Sequence, residues 1–201
     1  MKLPYSYYLN PDVLFMARDL LGKVLFTTID GKTTAAIIVE TEAYFGIDDK
    51  ASHAYAGRRT NRTETMFSSG GISYVYLCYG IHNLFNIVTS VEGDPHAVLV
   101  RAVEPLAGLE VMELRRNMPA NKPAITSGPG SAAKALGIDR SFNAKDLTGE
   151  VIWIEDHGIR FADGEIAATP RVGVDYAGDH ALLPWRFFVI GNKYVSKPNK
   201  V

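Results

Sequence analysis

Residues 23–44 read KVLFTTIDGKTTAAIIVETEAY, and this stretch decides the fold. Two runs rich in β-branched side chains, Lys23 to Thr28 and Thr33 to Thr41, flank the pair Asp30-Gly31. An Asp-Gly pair takes the positive backbone angles of a tight hairpin turn, so the two runs pair as antiparallel strands. Glu42 and Tyr44 follow just beyond a buried strand. A period of two places Glu40, Glu42 and Tyr44 on one face if the strand continues.

Outward from this hairpin, Asn10-Pro11-Asp12 precedes apolar positions Val13, Leu14, Ala17, Leu20 and Leu21, and Gly22 follows; this is a capped amphipathic helix. Asp48 is expected to cap a short helix that includes His53, and Asn61 or Thr63 to start another running to Phe67. Ser73 to Tyr79 and Asn83 to Ser90 form a second strand pair joined at Gly80, with Tyr79, Ile81 and His82 at its tip. A strand from Ala97 to Val103 is expected to end at Glu104-Pro105, and Leu106, Leu109, Met112 and Leu114 mark a helix after it. The proline- and asparagine-containing segment Asn117 to Thr126 is a loop, and Ser127-Gly128-Pro129 opens a helix that ends near Gly137. Further strands are expected at Val151 to Glu155, Arg171 to Val174 and Arg186 to Ile190. Hairpins mixed with helices favour an α+β fold with an antiparallel sheet over a doubly wound one, in a single domain spanning residues 1–201.

With 201 residues, 47% of them hydrophobic, the chain can bury a substantial core. Its longest apolar runs are strand-sized, far short of the roughly 20 residues that cross a bilayer. No secretory signal is visible at Met-Lys-Leu-Pro-Tyr, and the single cysteine, Cys78, excludes an intrachain disulfide. These features favour a reducing, intracellular setting. A net charge of -1 does not suit a non-specific nucleic-acid coat, so any DNA contact must come from local clusters. Arg58, Arg59 and Arg62 form one such cluster, Arg115 and Arg116 another, and Lys193, Lys197 and Lys200 a third; solvated surface is the commoner role for each.

The ordinary reading of Glu40 and Glu42 is a solvated strand end; the alternative is a buried carboxylate that is paired or functional. Tyr74, Tyr76, Tyr79 and Phe85 make the second hairpin aromatic, which serves either core packing or a platform for a nucleobase. Asn86 lies between Phe85 and Ile87 and needs hydrogen-bond partners if buried. The histidines lack zinc-ligand spacing, and no CxxC pair, phosphate-cradling glycine loop or Gly-x-Ser-x-Gly elbow occurs, so neither metal nor cofactor is expected.

Taken together, Val39-Glu40-Thr41-Glu42-Ala43-Tyr44, His53, Tyr74-Val75-Tyr76 with Tyr79-Gly80, Asn86, Arg101-Ala102-Val103-Glu104-Pro105-Leu106, Ser127-Gly128-Pro129 and Arg171-Val172-Gly173-Val174 resemble the alkyladenine (methylpurine, 3-methyladenine) DNA glycosylase family. The resemblance runs from the first helix to Tyr194. It implies a monofunctional enzyme of base-excision repair, acting on duplex DNA that contains alkylated or deaminated purines. It also implies a single mixed domain whose protruding hairpin enters the minor groove, with Tyr79 as the intercalating wedge. Extruding a base costs about a few kcal/mol. By resemblance Tyr44, His53 and Tyr76 line the pocket that receives it, Asn86 crowds the amine of normal guanine, and Glu42 is the base that activates water. Arg101 and the carbonyl of Val172 hold that water, and Arg58, Arg62, Ile81 and His82 meet the DNA. Ile81, His82 and the near-neutral charge depart from the family pattern. The implied enzyme works as a cytoplasmic monomer, nucleoid-associated in a bacterium or nuclear in a eukaryote.

Two rival classes are weighed against this one. A catalytically silent nucleic-acid-binding module would not need Glu42, Arg101 and Asn86 together, and a formyl- or acyl-transfer domain lacks a nucleophile or cofactor motif here.

Overall fold

A computed structural model describes residues 1–197; Lys200 of the basic tail lies outside the described residues. The elements in chain order are α1 (Tyr5–Tyr8), α2 (Val13–Asp19), β1 (Val24–Ile29), β2 (Lys32–Phe45), β3 (Ser73–Cys78), β4 (His82–Thr89), β5 (His96–Ala107), α3 (Leu109–Arg116), α4 (Pro129–Leu136), β6 (Ile152–Glu155), β7 (Ile166–Thr169) and β8 (Arg186–Val189), with short 3-10 turns between them. All strand pairs are antiparallel, so the α+β expectation holds.

The hairpin predicted at Asp30-Gly31 forms, with backbone φ of 50° and 71° at its two turn residues. Its second strand, the 14-residue β2, is the spine of the sheet. One edge of β2 pairs with β5 along most of its length; the other pairs with β1 at its start and with β8 at Glu40–Glu42. Beyond these, β4 and β3 extend the sheet from β5, and β6 and β7 complete it from β1 and β8. The face bearing Thr41, Ala43, Val98, Val100 and Ile87 joins the main core with Val13, Met16 and Ala17 of α2 and the alanines of α4. Asp12 caps α2, accepting from the amides of Leu14 and Phe15, and Gly137 closes α4 in the left-handed region.

Three expectations need correction. β5 does not end at Glu104-Pro105 but runs to Ala107; Pro105 sits where β5 pairs only with β2, so its missing N–H is tolerated. Residues 171–174 are not a strand: Gly173 has a φ of 77°, and the Val172 amide bonds a side chain instead of a neighbouring strand. β8 pairs with β2 along one edge and along the other with β7, a strand not among those expected from the sequence. Asp48 caps no helix; His53 lies in a turn between 3-10 segments, and it is Asp49 that accepts from the amides of Phe45 and Ala51.

Gly108 precedes α3 with a φ of 71°, and a Cβ there would sit 2.4 Å from the Thr33 carbonyl oxygen. Gly31 has the same φ but open space around it. Gly31→Ala is therefore expected to cost about 1 kcal/mol, and Gly108→Ala distinctly more, in urea unfolding of the two variants.

Candidate active site

Register builds the site. Across the sheet, Tyr74, Asn86, Leu99, Glu42 and Arg186 occupy one continuous row of paired positions on β3, β4, β5, β2 and β8. Three irregularities interrupt the β2–β5 ladder: Leu106 is extra on β5 near its end, Val39 is extra on β2, and Arg101 is extra on β5 opposite the step from Glu40 to Thr41. Such a bulge re-aims a side chain. Here the Arg101 guanidinium reaches both glutamates, its Nε 2.8 Å from Glu40 Oε1 and a terminal nitrogen 3.2 Å from Glu42 Oε1.

Both carboxylates are fully buried, so the solvated strand end is excluded. Glu40 belongs to a structural cluster: Arg186 Nε donates to Oε1 at 2.7 Å, the Ser196 hydroxyl lies 2.8 Å from the same oxygen, and the Ser196 amide donates to Oε2 at 2.7 Å. Glu42 Oε1 accepts from the Val172 amide at 2.7 Å, and Oε2 accepts from the Tyr44 hydroxyl at 2.9 Å. Burial works against the charge on Arg101, but the Glu42 and Glu40 carboxylates outweigh it and hold the group more firmly protonated than an ordinary arginine. Burial, reinforced by the Glu42 charge, also raises the Tyr44 hydroxyl well above its usual range, so it remains a hydrogen-bond donor.

In front of this buried pair opens a cavity of about 690 Å³, within the usual range of small-molecule pockets. Tyr44, His53, Tyr76, Asn86, Arg101 and Val172 all line it, as do Arg62, Tyr79 and His82 from the rim. Glu42 itself lies behind that lining. Asn86 is buried, and both hydrogens of its amide are directed to backbone, to the carbonyls of Tyr74 at 3.0 Å and Leu84 at 3.4 Å. His53 Nδ1 lies 2.9 Å from the Tyr74 hydroxyl and its ring meets Tyr76 edge-on at 4.6 Å. Burial first, then the charges of Arg62 and Arg58, lower the His53 imidazole from 6.5 to about 4. The neutral ring accepts at Nε2 from Arg62, 3.4 Å away, and so carries its proton toward Tyr74.

The β3–β4 hairpin turns at Tyr79-Gly80, with φ of 50° and 72°, and Ile81 N–H returns to the Cys78 carbonyl. A bulky aromatic in the left-handed region is an outlier, and Tyr79 is 87% exposed beside the 72% exposed Ile81. In the arginine cluster, Arg58 and Arg62 are exposed, Arg62 lies over the Tyr76 ring, and Arg59 is spent on a two-pronged pair with Glu64.

Sequence reasoning missed three charged side chains behind the cavity. Arg186 carried a signal, being a cation inside the apolar run Trp185 to Val189. Arg171 stands in a motif that carries the family resemblance but nothing around it in sequence indicates its role, and the same holds for Asp49, its ion-pair partner, next to the expected cap Asp48. Among the described residues, no three His, Cys, Asp or Glu converge as a metal-ligand set, and no helix is long and apolar enough to cross a membrane.

A family model described as Methylpurine-DNA glycosylase (MPG) matches residues 7–193. The chain belongs to this family. Bacterial relatives that carry 3-methyladenine DNA glycosylase in their names match it over almost all of their length. One from Chlamydia felis is 50% identical and covers 93% of this chain and 95% of its own. One from Desulfitobacterium hafniense is 45% identical and covers 97% and 98%. One from Bacillus cereus (strain G9842) is 43% identical and covers 98% and 100%. Membership fixes the broad chemistry, that of a DNA glycosylase in repair.

The His53 assignment has a measurable consequence. Its folded value of about 4 lies below the ordinary 6.5, so acid protonates the unfolded chain first. The stability this group permits at neutral pH is lost as pH falls from 6.5 towards 4, and the loss then levels off. An NMR titration should find this imidazole neutral at pH 5.5; a midpoint near 6.5 contradicts the burial argument.

Proposed function

We propose that this chain is a monomeric, monofunctional purine DNA glycosylase. It extrudes an alkylated or deaminated purine from duplex DNA, hydrolyses the N-glycosidic bond and leaves an abasic site in an intact strand. The carrying observation is the buried Glu42–Arg101 pair behind an aromatic cavity whose rim bears an exposed, strained tyrosine.

Tyr79 enters the base stack as the nucleotide leaves it, and Ile81 and His82 contact the groove beside it. The left-handed backbone at Tyr79 places its ring at the outermost point of the turn, 87% exposed and largely free of packing against the protein. Tyr44, His53 and Tyr76 then receive the purine. Stacking contributes about 1–3 kcal/mol per base on an aromatic platform, enough to offset an extrusion cost of about a few kcal/mol. Asn86, fixed by its two backbone bonds, crowds the 2-amino group of normal guanine and favours adenine-like bases and hypoxanthine. Arg58 and Arg62 meet the phosphate backbone.

Glu42 Oε2 accepts from Tyr44, and a carboxylate oxygen can accept a second bond. The attacking water occupies that second position, with Arg101 and the Val172 carbonyl orienting it. As the water oxygen bonds to the sugar's anomeric carbon, its proton passes to Glu42 and the carbon–nitrogen bond breaks with its electron pair on the base, so that a cationic alkylpurine leaves neutral and a neutral purine leaves as an anion that takes its proton from solvent. General-base catalysis supplies about 10²- to 10⁴-fold, and a positioned carboxylate also stabilises the cationic sugar in the transition state. The substrate places this work in the compartment that holds the chromosome.

With a chelator present, the purified protein should release free base from duplexes carrying 3-methyladenine, 7-methylguanine, hypoxanthine or etheno-adenine, and leave the strand uncut. Strand cleavage through a lysine Schiff base, or release from none of the four, contradicts the reading. Tyr79→Ser should leave the fold intact and weaken capture of the extruded state; unchanged single-turnover kinetics excludes the wedge.

A further inference from the structure

The glycosylase reading leaves Arg171 without work. Its guanidinium is buried between two rings, 4.9 Å from the centre of Tyr44 and 5.0 Å from that of Trp185. Its terminal nitrogens take both oxygens of the buried Asp49, at 2.5 and 2.8 Å, and one of them also donates to the Ala43 carbonyl at 2.8 Å. We propose that Arg171, locked by Asp49, is a positioning residue for glycosidic hydrolysis: it holds the Tyr44 wall of the pocket and the Val172 amide on Glu42 as one rigid unit. The proposal rests on the glycosylase reading above.

Several observations converge on it. Ala43 is the residue between Glu42 and Tyr44, so the bond to its carbonyl fixes the backbone from which both side chains project. The cation covers one face of the Tyr44 ring, whose hydroxyl must point at Glu42 Oε2 for the base to keep its geometry. Val172 is the next residue along, and its amide reaches Glu42 Oε1 from a segment with no strand pairing to hold it there. Asp49 closes the unit through the amides of Phe45 and Ala51, the latter a cavity-lining residue. A purely structural role fits less well. Arg171 Nε is buried with no hydrogen-bond partner, and a buried ion pair of this kind is a weak source of stability. Stacking and the Asp49 fork, not satisfaction of every donor, set where this guanidinium lies.

The test compares the native protein with Arg171→Lys and Asp49→Asn. Lysine keeps the charge but can neither span both Asp49 oxygens nor cover a ring. With enzyme in excess over duplex methylated with dimethyl sulfate, the rate constant for 3-methyladenine release should fall by about 10- to 100-fold in both variants, the usual consequence of a small misplacement. Affinity for a duplex bearing a tetrahydrofuran abasic analogue, which puts no base against Tyr44, should stay within about threefold. A merely structural role would lower melting temperature and active fraction and leave the rate constant of the folded fraction unchanged. A folded Arg171→Lys protein within about twofold of the native rate constant overturns the proposal, as does failure of both variants to fold. If the native protein releases no methylated purine, the functional reading itself fails; native release matched by an equally fast variant removes only the role of Arg171.

Discussion

The bridge from Arg101 to Glu40 and Glu42 is the constraint on which the site depends. Two carboxylates buried on one strand face repel each other and are costly to bury unless compensated. Arg101 lies between them because β5 carries an extra residue at that step, and Arg186 with Ser196 compensates Glu40 from the other side. Together Glu40 and Glu42 balance Arg101 and Arg186 in charge. Removing one member strands the rest, a cost of about 3–5 kcal/mol for a buried pair. Glu40 thus occupies one side of the Arg101 guanidinium and leaves the other for Glu42.

From this anchor the cavity follows by register. The row from Glu42 through Leu99 and Asn86 to Tyr74 sets the distance between the buried carboxylate and the aromatic hairpin, and β3 and β4 then run on to Tyr79. One continuous sheet therefore ties Tyr79, the proposed wedge, to Glu42, the proposed base, which suits a reaction whose parts must meet to within a fraction of an ångström.

Much of this was legible from sequence where the cause is local. Asp30-Gly31 dictates its turn, Asp12 caps α2, and Tyr79-Gly80 closes the second hairpin. Signals that depend on distant partners were not. Nothing near Glu40 announces that Arg186 and Ser196 will enclose it, and residues 171–174 look like a strand until the Val172 amide is seen to bond a carboxylate on β2. Pro105 misled for the related reason that its tolerance depends on which strands lie beside it. The candidate site was assembled by family resemblance, since spacing alone favoured a solvated Glu42; the fold then buried it. Arg171 and Asp49 fall between these cases, visible as residues but with roles that only their packing supplies.

The central claim is that Glu42 activates the water. The most direct measurement compares Glu42→Gln with the native protein under single-turnover conditions on a methylated duplex, alongside binding of the same duplex. Glutamine preserves the shape and an acceptor oxygen but cannot take a proton from water. The account predicts a folded variant that binds the damaged duplex about as well as the native protein, and a release rate lower by about 10²-fold or more. A folded Glu42→Gln protein that releases the purine at the native rate would contradict it.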